Sequence, residues 1–213
     1  MQSRFFTVPS RKNPSIRIEV AAGHFATGSS HISHYIDISE LKSSVTAAKD
    51  AARELAVQYL TNHDVDVIVC MEGTEIIAAY LADELMKAGP GALNADKEIR
   101  VLTPMHSANG NFIFHQNVQE KILDKNVLIL VASVSTGSTV NHAVECLSYY
   151  GGKLLGISAI FSAFPEIGGW QVHSLFSSED ISGYCFYRPS ECDMCKKGRK
   201  LDAIINSEGY TKI

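Results

Sequence analysis

From Glu40 onward the chain switches repeatedly between two hydrophobic periods, and that alternation admits few folds. Leu41, Val45, Ala48, Ala52, Leu55 and Tyr59 recur at spacings of four and three, which predicts one helix of about five turns with a single apolar stripe. Residues 66–71 (DVIVCM) form a short unbroken apolar run, the pattern of a strand buried on both faces of a parallel sheet. Residues 75–87 return to the helical period, and Gly89-Pro90 ends it. The cycle then repeats, with strands over 100–103, 126–132 (NVLILVA) and 154–161. Between the last two, Val140, Ala143, Val144 and Leu147 mark a helix closed by Gly151-Gly152. Strand, helix, strand with right-handed crossovers predicts an α/β fold, a doubly wound and mainly parallel sheet.

What flanks the alternation is less regular. Residues 1–38 precede it and are expected to form an N-terminal flap, with the α/β core over 39–165. Residues 166–213 follow as a C-terminal segment with a cysteine cluster, all within one domain. Residues 105–125 are polar apart from Phe112-Ile113-Phe114, the composition of a hairpin or an active-site lid.

Composition narrows the partners. At 213 residues, 46% hydrophobic and 20% charged, the chain can bury one sizeable core. Its net charge of −4 offers no general attraction to nucleic acid or to anionic lipid. No apolar run approaches the roughly 20 residues that span a bilayer. Met1-Gln2-Ser3-Arg4-Phe5-Phe6 is followed by Pro9 and a polar, basic stretch, without the apolar centre of a secretion signal. A cytoplasmic protein with no membrane or nucleic-acid partner is expected. The five cysteines, with Cys70 and Cys146 inside apolar runs, read as reduced thiols.

In open α/β sheets, ligands sit beyond the carboxyl ends of the strands. Two loops occupy such places. Ser135-Thr136-Gly137-Ser138-Thr139 follows the NVLILVA strand and enters a helix. Its small residues allow close backbone approach, and its hydroxyls and N–H groups at a helix N-terminus suit a phosphate. The plainer alternative is that Ser138 or Thr139 caps the helix. Glu72-Gly73-Thr74, after DVIVCM, has the same placement, and Thr74 is an equally good cap.

Residues 127–139, VLILVASVSTGST, resemble the phosphoribosyl-diphosphate (PRPP) signature of type I phosphoribosyltransferases, a hydrophobic strand, two acids and a Thr-Thr-Gly-x-Thr/Ser loop. The resemblance implies that Ser135, Thr136, Gly137, Ser138 and Thr139 hold a 5′-phosphate, and that Glu72, Gly73 and Thr74 form the pyrophosphate loop. Gly23-His24-Phe25 with residues 27–37 (TGSSHISHYID) is similar to the N-terminal segment of orotate phosphoribosyltransferase. That likeness, over about residues 20–165, places Phe25 and Tyr35 against the base.

The departures all run in one direction. The family's paired carboxylates align with Val131 and Ala132, or with Ala132 and Ser133 one register on. Its basic catalytic loop aligns with residues 103–110 (TPMHSANG), where His106 is the one candidate substitute. Its pyrimidine-binding arginine falls near Ser162, and a further basic position falls on Ser30. Single electrostatic contributors to a transition state are typically worth about 10² to 10³ in rate. The reading is therefore an orotate-phosphoribosyltransferase-like protein that binds PRPP or a nucleoside monophosphate. The alternatives are an active transferase of nucleotide metabolism, pyrophosphate-releasing and magnesium-dependent, or a non-catalytic nucleotide sensor. The resemblance also implies a homodimer.

Three further clusters carry side chains capable of chemistry. Cys185, Cys192 and Cys195, with His173 upstream, would supply four zinc ligands, but a lone C-x2-C pair reads first as reduced thiols on a tail. His24, His31 and His34 are read as a polar, histidine-rich loop. Lys196, Lys197, Arg199 and Lys200 are read as a solvated face, because no aromatic residue interleaves them. Trp170, after Gly168-Gly169, is expected to anchor a loop.

Overall fold

The computed structural model describes residues 5–87, 89, 93–107, 111–206 and 209–213. Three strands open the chain, β1 (Phe5–Pro9), β2 (Arg17–Ala26) and β3 (His31–Asp37), with β2 antiparallel to both others. Two helices follow, α1 (Ser39–Ser43) and α2 (Val45–Ala56), and then a 3-10 turn at Val57–Tyr59. The apolar spacing predicts one continuous helix here, but the structure breaks it at Ser44. That residue is extended (φ −83°, ψ 122°), and its hydroxyl accepts from the Ala47 N–H at 3.4 Å. Serine's ability to bond nearby backbone makes it a better cap than an interior helix residue.

The alternating region supplies β4 (Val67–Cys70), α3 (Glu75–Met86), β5 (Arg100–Leu102), a small hairpin of β6 (Met105–His106) and β7 (Phe112–Ile113), and α4 (Gln116–Gln119). It continues through β8 (Asn126–Val134), α5 (Ser138–Tyr149), β9 (Lys153–Ser162), β10 (Glu166–Ile167) and β11 (Trp170–Ser177). The core sheet runs β10-β11-β9-β8-β4-β5, parallel throughout except for the β10–β11 hairpin. Its central strands β4 and β8 are apolar on both faces because both are covered. Ile68, Leu128, Leu130 and Ile160 pack with α2 and α3, through residues such as Ala52, Leu55, Ile77 and Leu81. Val67, Val69, Val127, Ile129, Val131 and Ile157 pack with Val140, Ala143 and Leu147 of α5. The period of two within NVLILVA thus divides one strand between two cores.

The strand order reverses between β4 and β8. β5 was added to one side of β4, whereas β8, β9 and β11 were added in turn to the other. That is the topological switch point of an open sheet, where the loops leaving two adjacent strands diverge and leave a crevice.

Both flanking segments extend beyond the boundaries expected from sequence. β11 lies parallel to β9 with Val172 opposite Ile157, so the core continues past residue 165 to Ser177. The N-terminal flap also has partners from the far end of the chain, β12 (Phe186–Tyr187), the short helix α6 (Asp193–Lys196), β13 (Ala203–Asn206) and β14 (Gly209–Lys212). A second sheet runs β12-β3-β2-β13-β14, with β1 also on β2. β1 pairs with residues 17–21 of β2, and β13 takes the end, Ala203 opposite Phe25 and Ile204 opposite Ala26. The C-terminal strands cover an edge that would otherwise present unpaired backbone groups. The result is a hood with its own small core of Phe25, Ile32, Tyr35 and Ala203. Among the described residues, no helix is long and apolar enough to cross a membrane.

Candidate functional site

The Glu72-Gly73-Thr74 loop leaves β4 and the Ser135–Thr139 loop leaves β8, so both lie at the switch point. The β8 loop enters α5 through Gly137, whose φ of +78° is the left-handed conformation that side chains resist. A Cβ there would lie 2.8 Å from Ile167 on β10, so a substituent at 137 meets the hairpin rather than the space over the loop. Ser138 N–H bonds the Thr136 hydroxyl at 3.3 Å, and Gly137, not a hydroxyl residue, stands at the N-cap without a side-chain cap bond. The capping alternative for Ser138 or Thr139 therefore does not describe this turn.

The β4 loop carries backbone strain. Glu72 has φ +61° and Gly73 +79°, and a non-glycine residue held there costs on the order of 1–3 kcal/mol. Thr74 is buried and its hydroxyl turns back to the Met71 carbonyl at 2.9 Å, so it donates into the loop instead of capping α3. The strained turn sends the Glu72 side chain across to the other loop. Its carboxylate accepts from the Ser133 N–H and from the Thr139 hydroxyl, each at 3.3 Å. Burial pushes the Glu72 carboxyl above its ordinary range, while those bonds, the Ala132 backbone and the Lys42 charge pull it part of the way back. Lys42 lies at the end of α1, where the Ser44 break turns the chain, and its Nζ donates to the Glu72 carbonyl at 2.7 Å. Neither the acid nor the lysine was assigned this role from sequence. The available signal was an acid directly after a buried strand, but its span to β8 depends on strand order.

The loops open onto a cavity of about 170 Å³ between the core and the hood. Glu72, Lys42, Ala132, Ser133 and Ser135 form its floor, and Tyr35, Ile36, Asp37, Ile205 and Asn206 face it from the hood. Phe161 and Tyr184 close one side, their rings 5.4 Å apart. Tyr35 borders the cavity, and burial pushes its phenol up to about 12. Phe25 does not border it. A register shift between Ala22 and Phe25 folds the ring over Gly23, where a Cβ would meet it at 2.4 Å, and Phe25 is completely buried in the hood core.

The charged positions remain vacant. Val131 points into the α5-side core, and the two residues at the end of β8 that do face the cavity are Ala132 and Ser133. Ser162 is buried and bonds the Phe164 carbonyl at 2.6 Å, and Ser30 bonds Thr27 at 2.6 Å. His106 lies on the β6–β7 hairpin against Phe112, 4.7 Å between ring centroids, and is not among the residues bordering the cavity. Residues 108–110 of the aligned basic loop lie outside the described residues.

The expected cysteine grouping changes membership. Cys192 and Cys195 come together, but with His24 and His31. His173 is on β11, edge-on to Tyr59, and Cys185 is held through its backbone N–H by the Ser33 hydroxyl and stands outside the group. His24 and His31 flank the turn between β2 and β3, which aims both rings at the C-terminal segment, so they are not the loose polar loop expected from sequence. Trp170 begins β11 and pairs with Ile167 across the hairpin.

A parallel sheet with a switch-point cavity, a glycine-turned loop at a helix N-terminus and an antiparallel hood is the type I phosphoribosyltransferase fold. The chain superposes on Leishmania donovani UMP synthase with a TM-score of 0.54 and 18% identity, covering 75% of this chain and 34% of that one. Mycobacterium tuberculosis H37Rv orotate phosphoribosyltransferase, solved in complex with PRPP, gives a TM-score of 0.51 at 17% identity, covering 70% of this chain and 83% of that chain. Within that fold, the sequence resembles orotate phosphoribosyltransferase. It is 25% identical over 181 residues to the enzyme of Thermoanaerobacter sp. (strain X514), 84% of this chain and 86% of that protein. No protein-family model matches the chain.

Proposed function

We propose that the switch-point cavity binds a phosphorylated ribose compound, PRPP or a nucleoside monophosphate, without transferring the phosphoribosyl group. The carrying observation is the β8 loop. It places Ser135–Thr139 and the first turn of a twelve-residue helix at the cavity edge, with the helix dipole favouring an anion. Glu72 already occupies one donor at the end of β8, the Ser133 N–H, and one in the loop's helix entry, the Thr139 hydroxyl. An incoming phosphate exchanges with this carboxylate, and Lys42 remains beside it as a cation. The aromatic wall of Tyr35, Phe161 and Tyr184 suits a planar base.

Turnover is a different matter. A transferase has to stabilise charge at the anomeric carbon and on departing pyrophosphate. The residues at the end of β8 are an alanine and a serine, two of the aligned basic positions are Ser30 and Ser162, and the stretch aligned with the basic loop, residues 103–110, holds no lysine or arginine. Removing one such contributor costs about 10² to 10³ in rate, and several removed together leave little catalysis. Magnesium, which the resemblance implies for turnover, would find no carboxylate pair at the end of β8. The proposed binding does not depend on it.

The test is calorimetric titration with PRPP, orotidine monophosphate and uridine monophosphate, with and without magnesium, beside an orotate turnover assay. Saturable binding of a phosphorylated compound, with unchanged nucleoside-monophosphate affinity in magnesium and no pyrophosphate release, is the expected result. Steady turnover would overturn the non-catalytic reading, and no binding of any phosphorylated ribose would overturn the binding reading.

A further inference from the structure

We infer that His24, His31, Cys192 and Cys195 form a closed tetrahedral zinc site that staples the C-terminal segment to the hood. It is independent of the nucleotide reading, because none of the four borders the cavity. Their ligand atoms all lie within 4.8 Å of one another. His24 Nε2 is 3.2 Å from His31 Nδ1, 3.4 Å from Cys192 Sγ and 3.7 Å from Cys195 Sγ, and Cys195 Sγ is 3.3 Å from His31 Nδ1. A tetrahedron with Zn–N of about 2.0–2.1 Å and Zn–S of about 2.3 Å has edges near 3.3 Å between nitrogens and about 3.6 Å between nitrogen and sulfur. The nitrogen–nitrogen separation is within 0.1 Å of its edge, and the three nitrogen–sulfur separations, 3.3 to 3.7 Å, bracket theirs.

The chemistry of the set agrees with the spacing. Two thiolates and two neutral imidazoles balance a divalent zinc ion in charge, and an S2N2 tetrahedron selects zinc over hard cations. His24 Nδ1 lies 2.8 Å from the Arg199 carbonyl, which can only accept. That contact puts the proton on Nδ1 and leaves the Nε2 lone pair directed at the other ligands, the second-sphere arrangement that fixes a ligating histidine. Cys192 and Cys195 bracket the first turn of α6, so the C-x2-C spacing puts both sulfurs on one side. Without a metal, this arrangement holds a fully buried histidine against a buried thiol with little to gain from either.

The location gives the site its consequence. His24 and His31 come from β2 and β3, and the cysteines immediately precede the segment that becomes β13. The backbone is locked at the same place, since Asp202 N–H bonds the His24 carbonyl at 2.7 Å and the Asp202 carboxylate accepts the His24 N–H at 2.8 Å. Zinc there closes a loop of roughly 170 residues, the kind of long closure that restricts the unfolded chain most. It also anchors β13, whose Ile205 and Asn206 roof the cavity.

The experiment uses the full chain without a polyhistidine tag, purified under reducing conditions, with zinc measured by inductively coupled plasma mass spectrometry. One zinc per chain is expected. Cys195→Ser and His31→Ala, at the less buried ligands, should each cut retained zinc at least tenfold after dialysis against a chelator, whereas Cys185→Ser retains it. Cobalt substitution should give the visible bands and thiolate charge transfer of a tetrahedral S2N2 centre. Hydrogen exchange over residues 199–206 should accelerate when the metal is stripped. A chain that takes up no zinc when titrated, zinc lost with Cys185 but kept without Cys195, or a Cys192–Cys195 disulfide in the reduced preparation would each overturn the assignment. If Cys195→Ser fails to fold, His31→Ala and the cobalt spectrum still decide it.

Discussion

Replacing Gly137 by alanine tests the geometry of the β8 loop most directly. Two costs are legible in the structure. The left-handed backbone at φ +78° penalises any side chain by about 1–2 kcal/mol. The new Cβ would also lie 2.8 Å from Ile167 Cδ1 and Cγ2, and overpacking of that kind costs about 1–3 kcal/mol. Together they predict a loss of about 2–5 kcal/mol, a fall in Tm on the order of 5–15 °C for a chain of this size. The two parts separate experimentally. In an Ile167→Ala background the clash is gone and only the backbone cost remains, so the double-mutant cycle should show a coupling of about 1–3 kcal/mol. Urea unfolding followed by circular dichroism measures all four corners. A Gly137→Ala cost below about 0.5 kcal/mol would mean that the loop does not hold this conformation, and zero coupling would mean that Ile167 does not rest on it.

Glu72→Gln should bind phosphorylated ligands more tightly. Even with bulk-water screening, a carboxylate about 5 Å from a phosphate dianion is repelled by about 1.7 kcal/mol, more than tenfold in affinity, and an unchanged Kd in calorimetry would refute the exchange. The same variant has a pH signature. Burial raises the folded-state pKa of Glu72, so the folded chain holds that proton more tightly and loses stability as pH rises from the ordinary value of about 4.3 through the raised one. Wild type and Glu72→Gln should converge in stability below about pH 4, with wild type falling behind above it; denaturant melts across pH check the sign. Tyr59→Phe deletes a buried phenol 2.9 Å from the Ser158 hydroxyl, and leaving that partner unmatched should cost about 1–3 kcal/mol in urea unfolding. Phe25→Ala should cost about 3–5 kcal/mol of stability as a core truncation and leave the nucleotide affinity of the folded chain unchanged, whereas Tyr35→Ala, in the same hood core and at the cavity, should lower both stability and nucleotide affinity. Lost affinity in a folded Phe25→Ala chain with none lost in Tyr35→Ala would mean that the hood register is wrong.

Much of the core was legible along the chain. NVLILVA could only be a strand covered on both sides, and the small hydroxyl-rich loop after it could only leave at the carboxyl end. Gly151-Gly152 closes α5 where expected, the Gly152 N–H reaching the Leu147 carbonyl at 3.0 Å. The single long helix failed at Ser44 although the evidence there was local. An apolar stripe continues across a break as readily as through it, and serine's bond to the Ala47 N–H decided the matter. Phe25 and Tyr35 were equally apolar candidates for the cavity, and an irregularity at residues 22–25, invisible to pattern, sent one inward.

By itself, then, the sequence determined what depends on near neighbours: which segments are strands or helices, which faces are apolar, and which loops leave the carboxyl ends of the strands. Strands, helices and their apolar faces follow from side chains two to four residues apart, which periodicity records. Only the tertiary structure decided what depends on strand order and on distant chain returning. It brought Glu72 across to Ser133 and Thr139, joined the two ends of the chain into one hood, and set His24 beside Cys192, 168 residues away. No local period encodes such meetings. They arise because unpaired strand edges and apolar faces must be covered, and the segment that covers them carries its chemistry along.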